Sequence, residues 1–210
     1  MRIVRTGDRT ATETIAVGLA GAGVVVFGIV GFVSGAASTV AYVLSVVILG
    51  GVVLALRRGP LPGSLAIALA VDACVHLAGG LVRVGNSGLY NTGFGATSHE
   101  LHTRLFQYDH AAHTFGSCVA ALALWTFLAP PEVDDDHRRA LTLLCVLGGM
   151  GVGAINELVE FIATLAHAGA HVGGYHNTGW DLVANASGAL VGGAILIRHH
   201  ERLTIAPPAP

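Results

Sequence analysis

The chain has 210 residues and a formal net charge of -2; 53% of its residues are hydrophobic and only 11% are Asp, Glu, Lys or Arg, against about a quarter in a typical soluble domain. With a mean hydropathy of +0.67 and 29 glycines, this composition points to lipid, where small residues let helices approach closely. It excludes a soluble enzyme, a disordered chain and, because no Lys or Arg cluster can neutralise a phosphate track, a nucleic-acid binder.

A bilayer core of about 30 Å takes about 20 helical residues, and six apolar runs approach that length. They predict helices from Ile15 to Val33, Thr39 to Leu56, Ser64 to Val82, His110 to Leu128, Leu141 to Leu165 and Leu182 to Ile197. The fold class expected is all-α: a multi-pass membrane protein, one six-helix transmembrane domain over 1–205 with a disordered tail over 206–210. The first run exceeds a signal-peptide h-region of about 7 to 15 residues, so it reads as a retained span.

Arginine sets the expected orientation. Lys is absent; Arg2, Arg5, Arg9, Arg57, Arg58, Arg138, Arg139, Arg198 and Arg202 fall on one side of six spans, and Arg83 and Arg104 on the other. Both termini are therefore predicted to lie in the cytoplasm, with the protein in the cell membrane. Pro60 and Pro62, and Pro130 with Pro131, mark cytoplasmic turns, and the acidic run Asp134-Asp135-Asp136 reads as a solvated face without a role. The longest connection, Gly85 to Tyr108, is predicted outside, over the mouth of the bundle. Cys74, Cys118 and Cys145 each sit in an apolar run and read as buried small hydrophobes without disulfides.

Ionisable groups inside a span cost about 2.5 to 3.5 kcal/mol each on insertion scales, so each needs a reason. Span three carries Asp72 and His76; span four opens on Asp109, His110 and His113; span five has Glu157 and Glu160; span six starts at Asp181 and Asn185. Residues three or four apart share a helix face, and the predicted orientation brings these pairs to a similar depth in the outer half of the bilayer. Two carboxylates one turn apart in low dielectric repel unless a cation or a proton intervenes. A divalent metal, whether zinc, iron or manganese, would offset both charges, with His76, Asp109, His113, Glu157 and Asp181 as candidate ligands and Glu160 or Glu157 as candidate catalytic groups.

The structural alternative is a satisfied polar core, with Asp72 bonded to His76, Asp109 to His113, and Asn185 bridging helices. Asp72, nearest mid-membrane, reads as purely structural. Gly149 with Gly153, and Gly188 with Gly192, are GxxxG pairs expected to draw spans five and six together. His99-Glu100-Leu101-His102 spaces its histidines by three where a zinc-protease helix needs four, so it reads as loop. His167, His171 and His176 read as solvated loop histidines, and His199-His200 as incidental.

Three segments resemble the signatures of the YjdF-like bacterial inner-membrane family: Tyr108-Asp109-His110-Ala111-Ala112-His113-Thr114-Phe115-Gly116, Glu157-Leu158-Val159-Glu160-Phe161, and Asn177-Thr178-Gly179-Trp180-Asp181-Leu182. His76 followed by Gly79-Gly80 resembles that family's His and Gly-Gly segment, so the likeness runs over spans three to six. It implies His76, Asp109, His113, Glu157, Glu160 and Asp181 as the family's polar residues, and no established activity. It departs at Gly174 and Asn177, where the family carries Asp, and at Leu81, where it has a second His. Asp181, Asn185, Gly188 and Gly192 are also similar, more loosely, to the last element of VanZ-like proteins, which are associated with tolerance of glycopeptide antibiotics.

The leading expectation is a metal-dependent protein acting on a lipid or lipid-linked molecule, with membrane lipids as its surroundings and no nucleic-acid partner. A proton-coupled carrier using Glu157, Glu160 and Asp109 is the second reading; it requires polar groups to continue along the inner halves of the spans. A non-catalytic module that binds lipid or protein is the third.

Overall fold

The computed structural model describes residues 6–35, 39–57, 59–98, 103–166 and 174–204. Six helices account for most of them: α1 Thr6–Val33, α2 Thr39–Leu56, α3 Gly63–Leu81, α4 Tyr108–Leu128, α5 Asp135–Ala166 and α6 Tyr175–His199. Among the described residues five helical stretches are long and apolar enough to cross a membrane, namely Thr10–Val33, Gly63–Leu81, Tyr108–Leu128, Asp135–Ile162 and Tyr175–Arg202, with Tyr42–Leu56 a shorter apolar helix. The architecture is all-α, as the runs of apolar residues require.

Three helices, α1, α5 and α6, start six or more residues earlier than hydropathy places them. At α5, Asp134 caps the helix: its Oδ1 accepts the His137 backbone N–H at 2.9 Å, satisfying one of the four amides that an open helix end leaves unpaired. Asp135 pairs with Arg138 at 2.8 Å, one turn on, and places acid at the positive end of the helix dipole. The acidic run thus has a role the sequence reading denied it. At α1, Glu13 is buried and pairs with Arg57 just beyond α2, so a charge that interrupts the hydropathy profile is neutralised inside the fold.

The helices alternate in direction and pack as two groups. α1 lies on α3, with α2 beside both; α4 lies on α6, with α5 beside both; α3 and α4 join the groups. At the end bearing the termini, Trp125 of α4 donates its indole N–H to Thr204 at 3.3 Å and meets the His200 ring edge-on at 5.5 Å. Trp125, Cys145 and Leu196 are fully buried there. At the opposite end, called the loop end below, the α3 to α4 connection holds two short antiparallel pairs, β1 Arg83–Val84 with β2 Ser87–Gly88 and β3 Gly93–Ser98 with β4 Thr103–Gln107, around a turn of 3-10 helix at Leu89–Asn91. Residues 99–102, with the His99 to His102 segment, lie outside the described residues, as do His167 and His171.

Glycines set the closest approaches, but not the one expected. A Cβ on Gly188 would sit 1.9 Å from the Thr114 carbonyl oxygen of α4, and one on Gly192 would sit 3.0 Å from that of Cys118. Gly149 likewise faces the Ser117 carbonyl of α4, at 2.8 Å. These glycines draw α5 and α6 onto α4; of the two GxxxG pairs only Gly153, which faces Asn185, lies between α5 and α6. GxxxG spacing says which face is small, not which neighbour uses it.

Candidate metal centre

α4 is packed by α3, α5 and α6, so one stripe along it can turn inward without meeting lipid. Asp109, His113 and Ser117, each four residues apart, occupy that stripe and all are buried. α6 answers with Asp181, Asn185, Gly188 and Gly192, also buried. Ser117 donates to Asn185 Oδ1 at 2.7 Å, closing the polar layer towards mid-bundle.

His113 is the hub. Its Nε2 lies 3.3 Å from Asp109 Oδ1 and 3.9 Å from Asp181 Oδ1, and its Nδ1 lies 3.5 Å from Glu157 Oε1. His113 is 3% exposed, Glu157 6% and Asp181 0%. Ligand atoms of Asp109, His113 and Asp181 fall within 4.8 Å of one another, as do those of His113, Glu157 and Glu160. His110 Nε2 stands 4.0 Å from Asp181 Oδ1, and its ring lies 6.2 Å from that of Trp180. Beside Trp180, a surface cleft of about 170 Å³ is lined by Tyr175, His176, Gly179, Trp180 and Val183.

Two supporting amides complete the set. Asn177 donates to Asp109 Oδ2 at 3.4 Å and, by a shorter bond, to Asp181 Oδ2. Asn156 donates to Glu160 Oε1 at 2.9 Å. In the sequence Asn177 opens the third family-like segment and stands where the family carries Asp, with no role of its own, and Asn156 carries no expectation. The available signal was spacing, since each amide stands four residues from the carboxylate it serves.

Sequence-predicted residues divide by position. Asp109, His113, Glu157, Glu160 and Asp181 come together from three helices. His76 stands one ring away, its centroid 6.3 Å from that of His113, and joins neither group of close ligand atoms among the described residues. Its Nδ1 lies 2.6 Å from the Tyr90 hydroxyl, not on Asp72 as a satisfied core would have it. Asp72 instead approaches α4 at Gly116, where a Cβ would meet its Oδ1 at 3.1 Å, and that oxygen has no hydrogen-bond partner.

The chemistry of this donor set fits a cation. Four carboxylates gather around the His113 imidazole, with His110 at 4.0 Å from Asp181 on the rim, and no ion pair from Arg reaches them among the described residues. Asp181 Oδ1 and Glu157 Oε1 are buried and accept no hydrogen bond. A neutral imidazole has one N–H and one lone pair, so His113 can donate to a carboxylate on one side and ligate on the other. Buried charge left uncompensated costs several kcal/mol per ion. Protons or a divalent cation must therefore balance the cluster, and oxygen-rich sets with imidazole suit zinc, iron or manganese.

A sequence model of the family described as "Predicted membrane protein (DUF2238)" matches residues 15–202. That match is consistent with the YjdF-like resemblance and lends nothing to the VanZ-like one. No curated protein matches the chain, and no solved structure does.

Proposed function

The chain belongs to that family of predicted membrane proteins, and from this premise of a multi-pass membrane protein we propose that the His113 cluster binds a divalent metal (zinc, iron or manganese) and acts on a lipid or lipid-linked molecule. The arginine distribution favours the cell membrane with cytoplasmic termini, which puts the cluster in the outer half of the bilayer. What carries the reading is the meeting of four acids from three helices around one buried imidazole.

The distances suggest a division of labour. Nε2 of His113, with Asp109 and Asp181, faces the more enclosed position; Glu157, 3.5 Å from Nδ1, would take up the Nδ1–H once a cation is held, the arrangement in which a carboxylate orients a ligating histidine. A cation held there by His113, Asp109 and Asp181 would supply Lewis acidity for a polar headgroup and lower the pKa of a bound water. Glu160, half-buried and steadied by Asn156, would serve as general base from the Glu157 side of the His113 ring. Asn177 holds Asp109 and Asp181 at one separation.

The carrier reading needs polar groups through the other half of the bundle. At the end bearing the termini the α4 to α6 interior holds Trp125, Cys145, Val146 and Leu196 with the hydroxyls of Thr126 and Thr142, and no buried acid among the described residues, which weighs against it. Elemental analysis of purified protein tests the proposal: about one divalent metal per chain is expected in the wild type, with loss in His113→Ala and a marked reduction in Glu157→Ala. A metal-free wild type, purified without chelator and still metal-free after incubation with zinc, iron(II) and manganese(II), removes the proposal. Folded alanine variants that keep the wild-type metal content point to the non-catalytic module instead.

A further inference from the structure

The connection between α3 and α4 reaches His76, one ring from the polar cluster, through Tyr90. The Tyr90 ring lies against α3 so closely that a Cβ on Gly79 would come within 2.4 Å of it. Tyr42 and Tyr108 flank that ring, with centroids 6.1 Å and 5.9 Å away. The segment is tied down on both sides, by Leu89 N–H to the Val82 carbonyl at 2.9 Å and by the Tyr108 hydroxyl to the Val75 carbonyl at 2.9 Å. The position of the phenol oxygen is thereby set: 2.6 Å from His76 Nδ1 and 3.2 Å from the carbonyl oxygen of the same residue.

A phenol has one proton to give, and a carbonyl oxygen can only accept. With that proton directed at the carbonyl, the phenol oxygen meets Nδ1 as an acceptor, and the ring nitrogen must bring the N–H. We infer that Tyr90 is a positioning residue that holds His76 as the Nδ1–H tautomer, leaving the lone pair on Nε2 for the neighbouring polar cluster. This makes His76, which stands outside both groups of close ligand atoms, a lone-pair donor one ring from His113. The consequence for cation binding rests on the metal reading above; the tautomer does not.

The test uses full-length protein in lipid nanodiscs, stripped of metal, with nitrogen-15 in its histidines and the His76 signals assigned by their loss in His76→Gln. Wild type should show the Nδ1–H pattern. Tyr90→Phe keeps the ring against Gly79 but removes the acceptor, and should move His76 towards Nε2–H without lowering the thermal midpoint. Titrated with zinc and manganese, the variant should bind about 10- to 100-fold more weakly, the usual effect of losing a group that orients a ligating histidine. An Nε2–H pattern in the wild type, or a tautomer unmoved in Tyr90→Phe, overturns the inference, as does equal affinity in a wild type that binds metal. A wild type that binds no metal sinks the metal reading and leaves the tautomer result standing. Should Tyr90→Phe not fold, the wild-type spectrum decides alone.

Discussion

The α1 and α2 pair and the α4 to α6 group meet the same solvent in opposite ways. Of the most apolar stretch of α1, 17% is buried, against 50% for α4, and α1 presents Phe32 and Val33 almost bare. The buried acid of α1, Glu13, has Arg57 as its partner, so its charge is cancelled. α4 is enclosed by three helices and carries, with its neighbours, more acid than base. A helix facing lipid on most sides must be apolar or neutralised; one surrounded by protein can hold charge that something else balances. Asymmetric enclosure is what allows a site to exist in one group and not the other.

Removing the hub should separate the two groups most strongly. His113→Ala leaves Asp109, Asp181 and Glu157 buried around a void, and should cost about 3–5 kcal/mol, the range for breaking a buried ion pair. Glu13→Gln at the half-exposed Arg57 pair should cost about 1 kcal/mol or less. Equilibrium unfolding in detergent measures both, and equal losses would dissolve the contrast. The next effect in size is steric. Gly188→Ala drives a methyl into the Thr114 carbonyl and should cost about 1–3 kcal/mol, whereas Gly18→Ala, with nothing within 4 Å of its would-be Cβ, should leave stability level or slightly raised by helix propensity.

That contrast also marks how far the sequence could be read. The six helices were legible because length and hydropathy act locally: the second span, Thr39–Leu56, has the same bounds in the structure. Starts at charged or polar turns were not. α6 begins at Tyr175, ahead of the predicted Leu182, because Asn177 and Asp181 face α4 and so escape the cost that a lipid-facing turn would incur. Five of the predicted site residues came together because a three-or-four spacing places polar groups on one face. Partner choice was illegible for the same reason: periodicity gives a face and not its neighbour. Hence three of the four GxxxG glycines face α4 and only Gly153 meets the expected neighbour, and Tyr90, fourteen residues from His76 and outside any span, gives no signal.

Charge imbalance supplies the third test, smaller and opposite in sign in two conditions. If the acids of the α4 to α6 group await a cation, Glu160→Gln should raise the thermal midpoint of chelator-treated protein by about 2–4 °C, equivalent to about 1 kcal/mol in a chain of this size. In excess zinc or manganese the same change should lower the midpoint relative to wild type, since a state that binds ligand gains stability with the logarithm of ligand concentration over Kd. Glu13→Gln, already balanced by Arg57, should lose stability in both conditions. A Glu160→Gln midpoint that moves the same way with and without metal would show that the acids are protonated spectators.

The smallest expected effect isolates ordinary surface electrostatics from the buried kind. Asp134 is fully exposed at the start of α5, and its carboxyl is held below the ordinary value of 3.8, first by the His137 backbone N–H and then by the His137 side chain. A carboxylate with a depressed folded value contributes stability above the unfolded value, and that contribution fades as pH falls through the folded one. At pH 7, Asp134→Ala should therefore lower the thermal midpoint slightly, while Asp134→Asn, which can still accept the amide hydrogen bond, should lower it less. Below about pH 3.8 the wild type should converge on the Asn variant. Salt should weaken the ionic part of this cap because the site is open to water, whereas the His113 cluster, closed off by three helices, should not respond. A cap as insensitive to salt as the cluster would mean that exposure is not what distinguishes them.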